Sequence, residues 1–196
     1  MAATRTVLLG IAVLTAAFAA MPVDAQMPRD ARERNRGAQE EPAKFFPDAT
    51  RVVEEGKVSR GLQRQLNDMI AALNEKDDPA KARELAEAVL ANDRANAYEK
   101  SVAAQVAGSA AGELDDIPAS ITFMERAIAE NGLDNEQHYG TMQNLAITYL
   151  SNEQADKAIP LFARLIEETK TTNPDFHFAL AGAYYESEQY PQAIEA

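Results

Sequence analysis

The sequence predicts an all-α chain, a solenoid of stacked helix pairs with about three and a half repeats. Three observations carry this expectation. Leu145 and Leu180, Ala146 and Ala181, Tyr149 and Tyr184, Ala158 and Ala193, and Ile159 and Ile194 are each 35 positions apart, and self-similarity at one such period marks stacked supersecondary units. From Ser59 onward apolar residues recur at helical spacing, without the alternating β-branched runs of strands. Acidic or amide residues followed by proline, as at Asp78-Pro79 and Asn173-Pro174, punctuate the pattern as helix starts do.

The first 25 residues read as a secretory signal peptide. Arg5 precedes an apolar run from Val7 to Ala20, and Val23-Asp24-Ala25 offers small residues for processing, with Ala19 as a second position. That run has 14 residues, whereas a membrane span needs about 20, which weakens the competing reading of a retained anchor. A periplasmic or secreted location follows, with no membrane insertion after cleavage. Residues 26–58 read as a flexible polar leader in which Arg29, Arg32, Arg34 and Arg36 interleave with Asp30 and Glu33. Within it, Phe45-Phe46-Pro47 is expected either to pack on the first helices of the repeat domain or to bind a partner.

The helical domain spans 59–196, in units of about 59–95, 96–135, 136–172 and 173–196, the last incomplete. Leu62, Leu66, Met69, Ile70 and Leu73 line one face of a helix beginning near Ser59, and Ala82, Leu85, Ala86, Val89 and Leu90 line the next, from Pro79 to about Ala91. The same grammar gives helices over 97–111, 119–130, 138–151, 155–168 and 175–187, then a start at Pro191. Asn131-Gly132 reads as a left-handed C-cap. Pro160 lies a full turn into its helix, which predicts a late helix start or a local kink there.

Leu180-Ala181-Gly182, Tyr184-Tyr185, Tyr190, Ala193 and Ile194 resemble the tetratricopeptide repeat. The resemblance implies a right-handed solenoid of antiparallel helices A and B, with small residues where the two cross. Two helices approach closely only where both present small side chains, so Ala146 opposite Ala158 and Ala181 opposite Ala193 fit that crossing. The register extends backwards with a step of 38, matching Ala107, Gly108, Ala111, Ser120 and Met124 to Leu145, Ala146, Tyr149, Ala158 and Phe162. One step further the match degrades, and Arg83 stands opposite Ile121, so the first unit reads as a capping repeat with a more polar face. The layout also resembles the periplasmic repeat proteins of Gram-negative bacteria.

No catalytic constellation is present. His138 and His177 are isolated, there is no cysteine, and no ligand spacing for a metal occurs. Both histidines are expected to be solvated or packed against a neighbouring repeat. Asp77-Asp78, Asp115-Asp116 and Glu167-Glu168 fall at helix ends, where capping explains them. Gly108 and Gly182 fall inside helices at packing positions rather than in a phosphate loop. No cofactor, metal site or enzymatic activity is expected. The formal net charge of -12 argues against nucleic acid as partner. The expected partner is another protein, an envelope component.

The resemblance places a binding groove on helix A positions that do not pack inward. The candidates are Asn67, Gln105, Gln143, Ile147, Leu150, Phe178 and Tyr185, a nearly uncharged set suited to an extended or helical segment held by apolar anchors and amide hydrogen bonds. An alternative reading is a recruiting lobe of a larger envelope enzyme or transport complex whose chain continues beyond residue 196. The apolar Tyr184, Tyr185 and Ile194 at this end lead to that expectation.

Overall fold

A computed structural model describes residues 45–53 and 56–196; the expected signal peptide and the arginine-rich part of the leader lie outside these residues. The described chain contains eight helices and no strand: α1 Gln63–Asn74, α2 Pro79–Leu90, α3 Ala97–Glu113, α4 Ile117–Glu130, α5 Asn135–Ser151, α6 Ala155–Thr169, α7 Pro174–Glu186 and α8 Tyr190–Glu195. Each helix packs on the next in chain order, and α1 also reaches α3. The architecture is the helical-repeat solenoid expected, with helices A (α1, α3, α5, α7) alternating with helices B.

Local chemistry sets the helix starts. Asp78 accepts a hydrogen bond from the Lys81 amide at 3.0 Å, Asp116 from Ala119 at 3.2 Å, Asp134 from Gln137 at 2.8 Å and Asn173 from Asp175 at 3.0 Å. Each satisfies a donor that the first turn leaves unpaired. At α3 the cap is reciprocal: Asn96 accepts from the Glu99 amide while the Glu99 carboxylate accepts from the Asn96 amide. Glu99 is fully buried and also accepts from the Ser59 amide at 2.7 Å. Burial pushes its carboxyl up, but the bonds from Ser59 and Asn96 outweigh burial and hold it below the ordinary carboxylate range.

The turn between helices A and B recurs in every unit. Asp77, Asp115, Glu153 and Glu188 have φ of 51°, 59°, 59° and 59°, a left-handed conformation in positions separated by the repeat steps of 38, 38 and 35. The following amides bond back into helix A, Asp116 to Ala111 at 2.9 Å, Gln154 to Tyr149 at 2.9 Å and Gln189 to Tyr184 at 2.8 Å. No glycine marks these turns, so composition alone does not reveal them. The expected left-handed cap at Asn131 is present with φ 56°, and Lys170 repeats it one unit later with φ 53°. Gly132 serves a different purpose, since a Cβ there would lie 2.4 Å from the Ala97 backbone.

Packing inside the pairs depends on small side chains. A Cβ on Gly108 would lie 3.0 Å from Met124 Cγ and 3.4 Å from the Ser120 carbonyl oxygen, and the Ser120 hydroxyl donates to the Gly108 carbonyl at 2.8 Å. Ala107, Ala127, Ala146, Ala158 and Ala183 have no exposed surface. Two apolar clusters result. One centres on Met69, Val89 and Leu133, the other on Tyr139, Met142, Leu145, Phe162 and Leu165.

Several expectations are corrected. The first helix begins at Gln63, after a turn over 60–62, rather than near Ser59. Pro160 causes no late start, because α6 runs from Ala155 through it; Asp156, whose carbonyl it leaves unpaired, is exposed to water. Gly182 is not a packing glycine, since nothing lies within 4 Å of where its Cβ would be. Arg83 is more than a polar capping feature: it pairs with Glu87 at 2.9 Å and Asp116 at 2.7 Å and sits over the Phe123 ring, tying α2 to α4. Residues 45–53 and 56–62, assigned to a flexible leader up to 58, lie against the helices. Phe46 is buried among helices of the third and fourth units, not the first.

His138 is fully buried with neither ring nitrogen bonded. Burial, reinforced by the guanidinium charges of Arg51 and Arg164 and opposed by Glu168, lowers its pKa to about 4.

Two measurements follow. Glu153→Gly relieves a left-handed backbone that costs an L-residue roughly 1–2 kcal/mol, partly offset by glycine's greater unfolded entropy; urea unfolding is expected to show a net gain of about 0.5 kcal/mol or more. The folded-state pKa of His138 lies below its unfolded value of 6.5, so the unfolded chain binds the proton first. Its contribution is complete above pH 6.5 and is lost as pH falls towards 4, by on the order of 3 kcal/mol. In His138→Leu, stability between pH 6.5 and 5 is expected to fall less steeply than in the wild type.

Candidate functional site

The exposed face of helices A carries the sequence-derived groove residues, which the structure uses differently. Gln105 on α3 is committed, donating from Nε2 to Thr141 Oγ1 of α5 at 2.9 Å. Asn67 on α1 accepts from Gln63 Nε2 at 3.1 Å within its own helix. Gln143 and Leu150 on α5 are half-buried, and Leu150 packs against the second apolar cluster. Ile147, between them on the same helix face, is exposed.

On α7, Phe178 is 74% exposed and Tyr185 is 66% exposed. The structure brings these two together: with Ala181, Gly182, Tyr190, Ala193 and Ile194 they line one apolar depression between α7 and α8. Tyr185 meets Tyr190 edge-on, with ring centroids 5.5 Å apart. The equivalent surface one unit earlier is better covered. Ala158 is fully buried where Ala193 is half-buried, and Ile159 is half-buried where Ile194 is 87% exposed.

A second surface lies on the rim formed by the starts of helices A and the ends of helices B. Its occupant is the chain's own segment 45–51. The Phe45 and Phe46 amides donate to the Glu136 carboxylate, at 3.0 Å to Oε2 and 2.9 Å to Oε1. The Phe46 ring enters a slot between Tyr139 of α5 and Phe176 of α7, with centroids 5.5 and 6.0 Å away. The chain then turns: the Ala49 amide bonds the Phe46 carbonyl at 3.3 Å across Pro47-Asp48, proline at the second position of a β-turn presetting its φ.

Beyond the turn, Thr50 donates from its amide at 2.8 Å and its hydroxyl at 3.0 Å to the Glu168 carbonyl at the end of α6. Arg51 Nη2 donates to the carbonyls of Asn131 and Leu133, each at 2.9 Å, where α4 ends. Gly56 lies against the Tyr98 ring so closely that a Cβ would come within 2.2 Å of it. Behind the slot, the Tyr139 hydroxyl donates to Glu168 Oε2 at 2.9 Å and Arg164 Nε to Glu168 Oε1 at 2.7 Å. Burial and the bond to Glu168 push the Tyr139 hydroxyl up to about 12.

Sequence reasoning singled out Phe45-Phe46-Pro47 but missed Glu136, Tyr139, Glu168 and Phe176 as its partners. The proline-aspartate turn was the one readable signal. A third cleft, between α4 and α6, is lined by Glu125, Asp156, Lys157 and Arg164 around Tyr149. Its opposite charges balance, and the Tyr149 hydroxyl is spent on Glu125. Among the described residues no group of three or more His, Asp or Glu side chains could hold a metal ion, and no helix is long and apolar enough to cross a membrane.

Residues 149–196 match the family described as tetratricopeptide repeat. No curated protein matches the sequence. Among solved structures, the chain is similar to the MamA protein at 22% identity, covering 68% of each chain with a TM-score of 0.54. A MamA RS-1 double mutant aligns at 15% identity, covering 71% of this chain and 72% of that one with a TM-score of 0.56. A putative kinesin light chain from Podosopora anserina, with nearly identical TPR-like repeats, aligns at 18% identity over 69% of this chain and 70% of that one, TM-score 0.51. Sequence over 149–196 and backbone over the described helices therefore agree: this is a protein of the tetratricopeptide-repeat fold, with its clearest repeats at the C-terminal end.

Proposed function

We propose that the protein is a non-catalytic protein–protein interaction scaffold of the cell envelope, which holds a partner's segment on the exposed face of helices A in its third and fourth units. The single observation carrying this reading is the exposure of Ile147, Phe178 and Tyr185 on a chain of net charge -12. Large apolar side chains left in water on two successive helices A, Ile147 on α5 and the aromatic Phe178 and Tyr185 on α7, are disfavoured on a surface with no use for them and supply the anchors typical of protein interfaces. Gln143, one turn before Ile147 on α5, offers amide donors and acceptors to a peptide backbone.

The envelope assignment rests on residues 1–25, whose short basic start, apolar run and small processing residues suit export. An uncharged binding face within an acidic molecule favours partners that present apolar side chains, and the acidic surroundings speed encounter with those that also carry basic residues. The proposed role is to bring envelope proteins together.

A photocrosslinking residue at Gln143 in the native envelope identifies what sits on this face. Ile147→Glu combined with Phe178→Glu is expected to reduce crosslinking at least tenfold, while circular dichroism remains that of the wild type because both side chains are exposed. Undiminished crosslinking in a folded double variant contradicts the placement of the groove.

A further inference from the structure

We propose that the rim slot formed by Glu136, Tyr139, Glu168 and Phe176 is a second peptide-recognition site. Its ligand is a turn-forming segment of the pattern Phe-Pro-Asp, then one further residue, then a hydroxyl residue and a basic residue, a pattern with which the chain's own residues 46–51 fill the slot in cis. This site is separate from the exposed face of helices A and does not depend on the reading given for that face.

The pattern of contacts is that of ligand recognition. Glu136 takes two successive backbone amides on its two carboxylate oxygens, a contact any peptide can make, strengthened by the charge on the acceptor. Specificity comes from the aromatic slot, which accepts one ring between Tyr139 and Phe176. Pro47 narrows the unbound conformations of the segment, so less order is lost on docking. Downstream, the Glu168 carbonyl reads a residue with both an amide and a hydroxyl donor. The Asn131 and Leu133 carbonyls, with Asn135 Oδ1 at 3.0 Å, read a guanidinium. Charge agrees with this assignment, because the rim presents the carboxylates of Glu136 and Glu168, its own cation Arg164 is paired with Glu168, and the segment supplies Arg51.

The segment is also held in a way that permits exchange. Phe46 is its one deeply buried side chain; Phe45 is 62% exposed and Val52 is 93% exposed, and Pro47, Asp48 and Thr50 are exposed as well. Several of its hydrogen bonds lie where water can replace them. A segment with one anchor and solvated polar contacts opens without global unfolding, leaving a formed slot for a partner segment of the same pattern.

Hydrogen exchange on the full chain tests release. The Phe46 and Thr50 amides are expected to exchange at least tenfold faster than those of Met142 and Leu145 in α5; exchange at the rate of those core amides makes the segment a fixed strap and overturns the proposal. Recognition in trans is tested by NMR titration with a synthetic peptide of residues 45–53. Because a short tether supplies an effective concentration in the millimolar range, wild type is expected to bind the peptide at least tenfold more weakly than Phe46→Ala, whose slot is vacated. A peptide with alanine in place of Phe46 is expected to lose that binding. If Phe46→Ala does not fold, Arg51→Ala loosens the other end of the segment and is expected to show the same order. Equal binding to wild type and the opened variant overturns the assignment, as does no saturable shift in a folded variant up to about 5 mM peptide.

Discussion

Close approach of helix A to helix B is the constraint on which the rest of the structure depends. In the second unit the two backbones come near enough for the Ser120 hydroxyl to bond the Gly108 carbonyl at 2.8 Å. Buried alanines play the corresponding part elsewhere, with Ala146 and Ala158 in the third unit fully enclosed. Small residues here exchange side-chain burial for dispersion contacts between whole helices, and they fix the distance at which the larger Met124, Phe162 and Leu165 interdigitate. The left-handed residues at 77, 115, 153 and 188 keep each pair in that relation by reversing the chain with nearly constant geometry.

The array was legible because its constraint leaves a trace at fixed spacing. A residue that must be small recurs wherever a pair crosses, so Ala146 and Ala181, or Ala158 and Ala193, announce the period without any reference to partners distant in sequence. Caps were legible for the same reason, since Asp78, Asp116 and Asn173 act on amides two or three positions away. The left-handed turns were not, because aspartate and glutamate occupy positions where glycine would have signalled the conformation. The late start expected at Pro160 does not occur, because an exposed helix face tolerates a missing amide better than a buried one does.

The candidate surfaces were legible only in part. Phe178 and Tyr185 stood out as large residues at positions a helix A does not bury, and they are exposed. Gln105 looked equally available, yet a contact from α3 to Thr141 of the following helix A consumes it, and nothing local in sequence foretells that. The rim is the extreme case. Glu136 lies 90 positions from Phe46, and the slot exists only once α5, α6 and α7 have stacked. Buried aromatic and charge-assisted contacts then convert a stretch with the composition of a linker into part of the folded unit.

Of these features the small-residue crossing bears most of the account, and Gly108 and Gly182 isolate it, since both lie on helices A but Gly182 stands one position beyond the crossing, where Ala181 is the counterpart of Gly108, and their surroundings are opposite. A Cβ at Gly108 meets Met124 and the Ser120 backbone, whereas one at Gly182 meets nothing within 4 Å. Urea unfolding of Gly108→Leu beside Gly182→Leu is therefore the most direct test. Gly108→Leu is expected to lose about 2–3 kcal/mol from forced separation of α3 and α4. Gly182→Leu is expected to be neutral or to gain up to about 1 kcal/mol from helix propensity. Equal effects, or a neutral Gly108→Leu, contradict the claim that contact between small residues sets the spacing of the helix pairs.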